Sequence, residues 1–163
     1  MAVTRNQKLD LHLNSIEEIY VPAEFGKSCV PLMIDAAALV EARMPPVATY
    51  SLRVARDYAA GTTSAESVND AIVRCWKDLG GGGRDMCTDV PDVAAIRAVI
   101  CILRRQVHPE AEDSLDLLSF FVELLNNVEP HSEELEALFK KHFPLHGKSL
   151  GTTDTDRLPQ TNH

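Results

Sequence analysis

The chain has 163 residues, 45% of them hydrophobic and 25% charged, with a formal net charge of −8. That apolar content suffices for one domain with its own core and argues against global disorder. The acidic balance, with no basic run longer than the pairs Arg104-Arg105 and Lys140-Lys141, excludes the electrostatic footprint of a nucleic-acid binder.

The N-terminal residues 1–34 read as an extended or mixed segment. Leu9, Leu11 and Leu13 alternate with Asp10 and His12, which is the period of a short strand. Ser15 and Glu18 also have the spacing of a capping box, so a helix start competes with the strand. Pro22 and Pro31 bracket what reads as a loop.

A helical domain is expected over residues 35–145. Residues 35–43 are Ala-rich and stop at Pro45-Pro46, and Pro46 is placed to open a helix running to about Ala60. Val47, Tyr50, Val54 and Tyr58 form its expected apolar face, and Gly61 its stop. Thr63 and Glu66 have the spacing of a capping box for a helix carrying Val68, Ile72, Trp76 and Leu79. Gly80 to Gly83 end it and read as a linker, because a phosphate cradle needs a strand before the glycines. Asp89, Val90 and Pro91 open a further helix to about Val107, apolar around most of its girth and therefore central. Asp113 is the expected cap of a helix through the very apolar stretch 115–125, and Ser132 the expected cap of a last helix carrying Leu135, Leu138, Phe139 and Phe143. Residues 146–163 are polar and aperiodic and read as a disordered tail. The expected fold is therefore all-α: a single-domain antiparallel helical bundle or orthogonal helix array of five to six helices, with a short irregular or β N-terminal segment.

No constellation carries recognisable chemistry. Gly26-Lys27-Ser28 and Gly147-Lys148-Ser149 echo the end of a P-loop but lack its first glycine, with Val21 and His142 standing there instead. His142 and His146, even with Cys75 and Cys87, lack the closely spaced pairs of a zinc site, and Pro144 interrupts the turn between the histidines. Glu133-Glu134 are ordinary first-turn acids. Arg97 and Arg104 share a helix face, with Arg74 and Lys77 earlier in the chain, and read as partners for acidic helices or as an anion site. The four cysteines, Cys29, Cys75, Cys87 and Cys101, form no C-x-x-C pair; Cys101 reads as core and Cys87 as exposed. The expectation is no catalytic residue, no cofactor and no metal. With no secretory signal and no apolar run of membrane-spanning length, a cytoplasmic location with free thiols follows as the expectation.

What stands out is charge. Between Val107 and Phe143 lie nine acids, opposed only by Lys140 and Lys141. A solvated helix surface explains them, and so does an acidic face that orients a basic protein partner, with Glu112, Asp116 and Glu123 as candidate contact residues. A second pattern points the same way. The stretch Ser51 to Trp76, with its Ala/Arg-rich helix, Ala-Gly stop, Ser-Ala-Glu start and Trp-bearing second helix, followed by the Ala-rich segment 92–105, resembles a helical immunity-protein family of bacterial toxin systems. The resemblance covers about residues 51–105; the N-terminal segment and the 115–125 helix have no counterpart in it. It implies a cytoplasmic inhibitor that blocks a toxin by binding. The competing expectations are a homo-oligomeric helical protein with a small-ligand or enzymatic pocket, suggested by the apolarity of residues 115–125, and a structural subunit of a larger assembly.

Overall fold

A computed structural model describes residues 5–20, 22–109 and 114–144, and among these every regular element is helical. Seven α-helices follow one another: α1 (Arg5–Ile19), α2 (Pro22–Ala38), α3 (Pro46–Ala59), α4 (Ala65–Leu79), α5 (Pro91–Val107), α6 (Ser114–Val128) and α7 (Ser132–His142). Short 3-10 turns at Glu41–Arg43 and Arg84–Met86 shape two of the connections.

The N-terminal expectation is corrected. Residues 5–19 and 22–38 form two α-helices, neither a strand nor a loop. Among the described side chains of α1, Leu9, Leu13 and Ile16 are buried, spaced four and three apart as on a helix face, while Leu11 is 60% exposed. The alternation of leucines was therefore incidental. Pro22 takes the first position of α2, where its missing N–H is not needed, and Pro31 lies inside that helix with its ring on the exposed side. The expected boundary at residue 34 falls within α2, and one buried cluster runs from Leu9 to Phe143. The expected tail and the proposed Asp113 cap lie outside the described residues.

Farther along, the sequence signals hold with small shifts. The cap of α4 is Ser64, not Thr63: its backbone is extended and its hydroxyl accepts from the Ser67 N–H at 3.3 Å. Gly80 ends α4 with φ 71° and ψ −174°, a combination open to glycine, and Gly83 opens the following 3-10 turn in the left-handed conformation at φ 81°. The buried face of α3 is Ala48, Ser51, Leu52, Val54 and Ala55, so Tyr50 points outward rather than into the core. Ser132 begins α7 rather than capping it; His131 holds the cap position and makes no side-chain cap bond.

α5 is the hub. From Val93 to Leu103 it is buried on every side except at Arg97, and it packs against α2, α3, α4 and α6. Small side chains allow close approach of α3 and α4: the Ser51 hydroxyl lies 3.2 Å from the Cys75 sulfur, and Ala48, Ala55 and Ala71 are buried. α7 closes the other side over α2 and α1 with Leu135, Phe139 and Phe143. There the Tyr20 hydroxyl donates to the Pro144 carbonyl at 2.8 Å, and the Tyr20 ring meets Phe143 edge-on. No helix among the described residues is long and apolar enough to cross a membrane.

Candidate functional site: an acidic groove between α1 and α6

The pattern of α6 decides what it shows to solvent. Leu118, Phe121, Val122, Leu124 and Leu125 are buried. Asp116, Ser119, Phe120, Glu123, Asn126 and Asn127 recur at helical spacing on another face. α1 lies beside that face and contributes Leu9, Asp10 and Leu13. Together these residues and Val122 line a groove of about 570 Å³. Its floor is apolar, from Leu9, Leu13, Phe120 and Val122, and its walls carry the exposed carboxylates of Asp10, Asp116 and Glu123.

None of these three acids has an ion-pair partner among the described residues, although other acids of the molecule are well paired: Arg43 with Glu129 at 3.0 Å, Arg56 with Glu41 at 2.8 Å, Lys140 with Glu136 at 3.0 Å. The groove therefore carries uncompensated negative charge above apolar surface. At its end Asn127 is fixed by donating to the Thr88 carbonyl at 2.9 Å, while the Oδ1 of Asn126 is buried and accepts no hydrogen bond. Phe120 is backed by Arg97, whose guanidinium carbon is 5.7 Å from its ring centroid and 5.2 Å from that of Trp76. Arg97 also donates to the Asp85 carbonyl at 2.8 Å. Its role is to pin α4, α5 and α6 together through rings and a carbonyl, which replaces the expected pairing with acidic helices.

Of the three residues singled out by charge, Asp116 and Glu123 are thus brought together on the groove wall, and Glu112 lies outside the described residues. Asp10 and the apolar floor escaped the sequence reading because α1 was taken for a mixed segment; the spacing of Leu9, Leu13 and Ile16 was the available signal.

The remaining motifs are placed elsewhere. Gly26-Lys27-Ser28 lies inside α2, not in a loop that could cradle a phosphate. A side chain at Gly26 would come within 3.2 Å of a guanidinium nitrogen of Arg105, so glycine here makes room for that buried residue. His142 Nε2 donates to Asp35 Oδ2 at 2.8 Å and so ties α7 to α2. Gly147-Lys148-Ser149 and His146 lie outside the described residues. Cys75 is buried 3.2 Å from the Ser51 hydroxyl and Cys87 is exposed, so the two share no site. Among the described residues no group of three His, Cys, Asp or Glu side chains has the arrangement of a metal site. Burial pushes the thiols of Cys29 and Cys101 up to about 11, which keeps them protonated and unreactive at neutral pH.

Compared with known proteins, the chain matches no family, no curated protein and no solved structure.

Proposed function

We propose that this chain is a non-catalytic protein-interaction module whose α1/α6 groove receives a basic, amphipathic segment of a partner. The observation that carries this reading is that one groove pairs an apolar floor with three carboxylates that have no ion-pair partner among the described residues. Apolar anchors of the partner would fill the floor over Phe120, and its cations would sit against Asp10, Asp116 and Glu123. The charges would speed and orient the encounter more than they would tighten it. An immunity-type inhibitor of a bacterial toxin is a narrower form of the same reading; its support is the stretch 51–105, which spans most of the α3–α4 hairpin and of α5.

The test is titration of a helix-forming peptide carrying two arginines two helical turns apart with leucines between them, followed by fluorescence anisotropy. Binding should weaken steeply with salt and disappear in Asp116→Lys/Glu123→Lys. Binding that ignores both salt and the double substitution would remove the groove from consideration.

A further inference from the structure

The α3–α4 hairpin shows a surface of the opposite character. Tyr50 on α3 is 37% exposed, and two arginines converge on its ring: the Arg53 guanidinium carbon lies 5.5 Å from the ring centroid and that of Arg74 lies 5.1 Å from it. Both arginines are exposed, and neither has an acidic partner among the described residues. Each leans on the ring by a cation–π contact, which restrains two long side chains that would otherwise sample many rotamers. In a chain of net charge −8, this is a compact cationic cluster built around an aromatic ring.

The groove repeats that pattern with the sign inverted. On α6, Phe120 stands four residues after Asp116 and three before Glu123, so an aromatic ring lies between two uncompensated carboxylates on one helix face. Two helical turns place the backbone positions of Asp116 and Glu123 about 10.5 Å apart. The two guanidinium groups, both held on the Tyr50 ring, can be separated by no more than roughly that distance. The two surfaces share no residue, so one molecule can engage both at once.

We infer that the groove's partner is a second copy of this chain: Arg53 and Arg74 of one molecule meet Glu123 and Asp116 of the next, with Tyr50 set against Phe120. This inference rests on the groove reading and names its occupant. Because the two surfaces differ, the contact is head-to-tail, and it propagates into a ring or an open chain according to the rotation between neighbours. Contact between opposite charges at the protein surface makes the assembly reversible and sensitive to salt.

Analytical ultracentrifugation of the full chain tests this. The wild type should grow in mass with concentration at low ionic strength. It should return to the 18.0 kDa monomer when ionic strength rises from about 0.01 to about 1 M, as the screening length shrinks from about 30 to about 3 Å. Arg53→Ala/Arg74→Ala and Asp116→Asn/Glu123→Gln each remove one surface and leave the other, so each alone should stay monomeric. Mixed in equal amounts they should form a pair at twice 18.0 kDa that grows no further, a result that also shows both variants to be folded. A wild type that stays at 18.0 kDa at every concentration, either variant assembling alone, or a mixture that stays monomeric would each overturn the inference. The arginine–leucine peptide separates the two failures. If the monomer still binds it, the groove stands and only the second copy falls; if it does not, the groove reading falls as well.

Discussion

Arg56 grips Glu41 through two parallel hydrogen bonds, Nη1 to Oε1 at 2.9 Å and Nη2 to Oε2 at 2.8 Å, and so fastens the 3-10 turn that follows α2 to the last turn of α3. Only a guanidinium presents two donors in this fork, and lysine would keep the charge while losing one bond. Both side chains are about one-third exposed, so solvent screens the pair. Arg56→Lys should lower stability by about 0.5–1 kcal/mol in urea unfolding at neutral pH. The hydrogen bonds from Arg56 hold the Glu41 carboxyl below its ordinary 4.5. A carboxylate with a lowered folded value contributes stability that is present above about 4.5 and lost as pH falls through the folded value. The gap between wild type and Arg56→Lys should therefore narrow in acid and stay constant above that window.

His12 gives a second acid-sensitive step at higher pH. Its ring meets Phe139 edge-on at 6.1 Å between centroids, and its Nε2 is buried with no hydrogen-bond partner. Burial first, and the Lys140 ammonium second, lower its pKa from 6.5, against the smaller opposing pull of Glu136. The unfolded chain then binds a proton that the folded one resists. The penalty begins as pH falls below about 6.5 and is complete once pH passes the folded value. In His12→Leu, thermal melting temperatures should stay flatter than the wild type's as pH drops through that window, and an unchanged slope would show that His12 is not its source.

The sequence was most informative where local chemistry and packing agreed. Pro46 and Pro91 each open a helix, Gly80 closes α4, and the run from Val93 to Leu103 lacks a polar stripe because α5 is enclosed by four neighbours. It misled where a residue obeyed a local rule that tertiary packing overrode. Leu11 completes a strand-like alternation yet lies exposed, and Pro31 breaks a helical pattern that the fold nevertheless continues. For the groove, the charge count pointed to Asp116 and Glu123, but which helix would lie opposite them depends on long-range packing of α1 on α6, and no spacing within α6 encodes that. The cationic cluster was hidden for the same reason: Arg53 and Arg74 are on different helices and meet only because α3 and α4 fold back on each other.

The thiols report on the core directly. Cys29, Cys75 and Cys101 are buried, and Cys87 is exposed in the connection between α4 and α5. A disulfide-exchange reagent should modify one thiol per chain rapidly under native conditions and all four on denaturation. Cys87→Ser should abolish the fast phase. A second fast thiol that Cys75→Ser removes would mean that the α3–α4 contact at Ser51 and Cys75 opens readily.

Pro31 offers the sharpest test of the α2 assignment. Inside a helix a proline removes the hydrogen bond to the carbonyl four residues earlier, here Lys27, and crowds that turn. Its ring faces solvent, so replacing it disturbs no buried contact, whereas neighbouring Leu32 and Met33 are fully buried and hold the helix in place. Pro31→Ala should therefore stabilise the protein, by about 1–3 kcal/mol, as alanine restores the donor and the helix propensity. Leu32→Ala, one position along, should destabilise it by about 2–5 kcal/mol through loss of core packing. If residues 22–31 were a loop bracketed by prolines, the first substitution would instead be neutral or destabilising, because proline restricts an unfolded chain more than alanine does. Chemical denaturation of the two variants beside the wild type distinguishes the cases by the sign of a single shift.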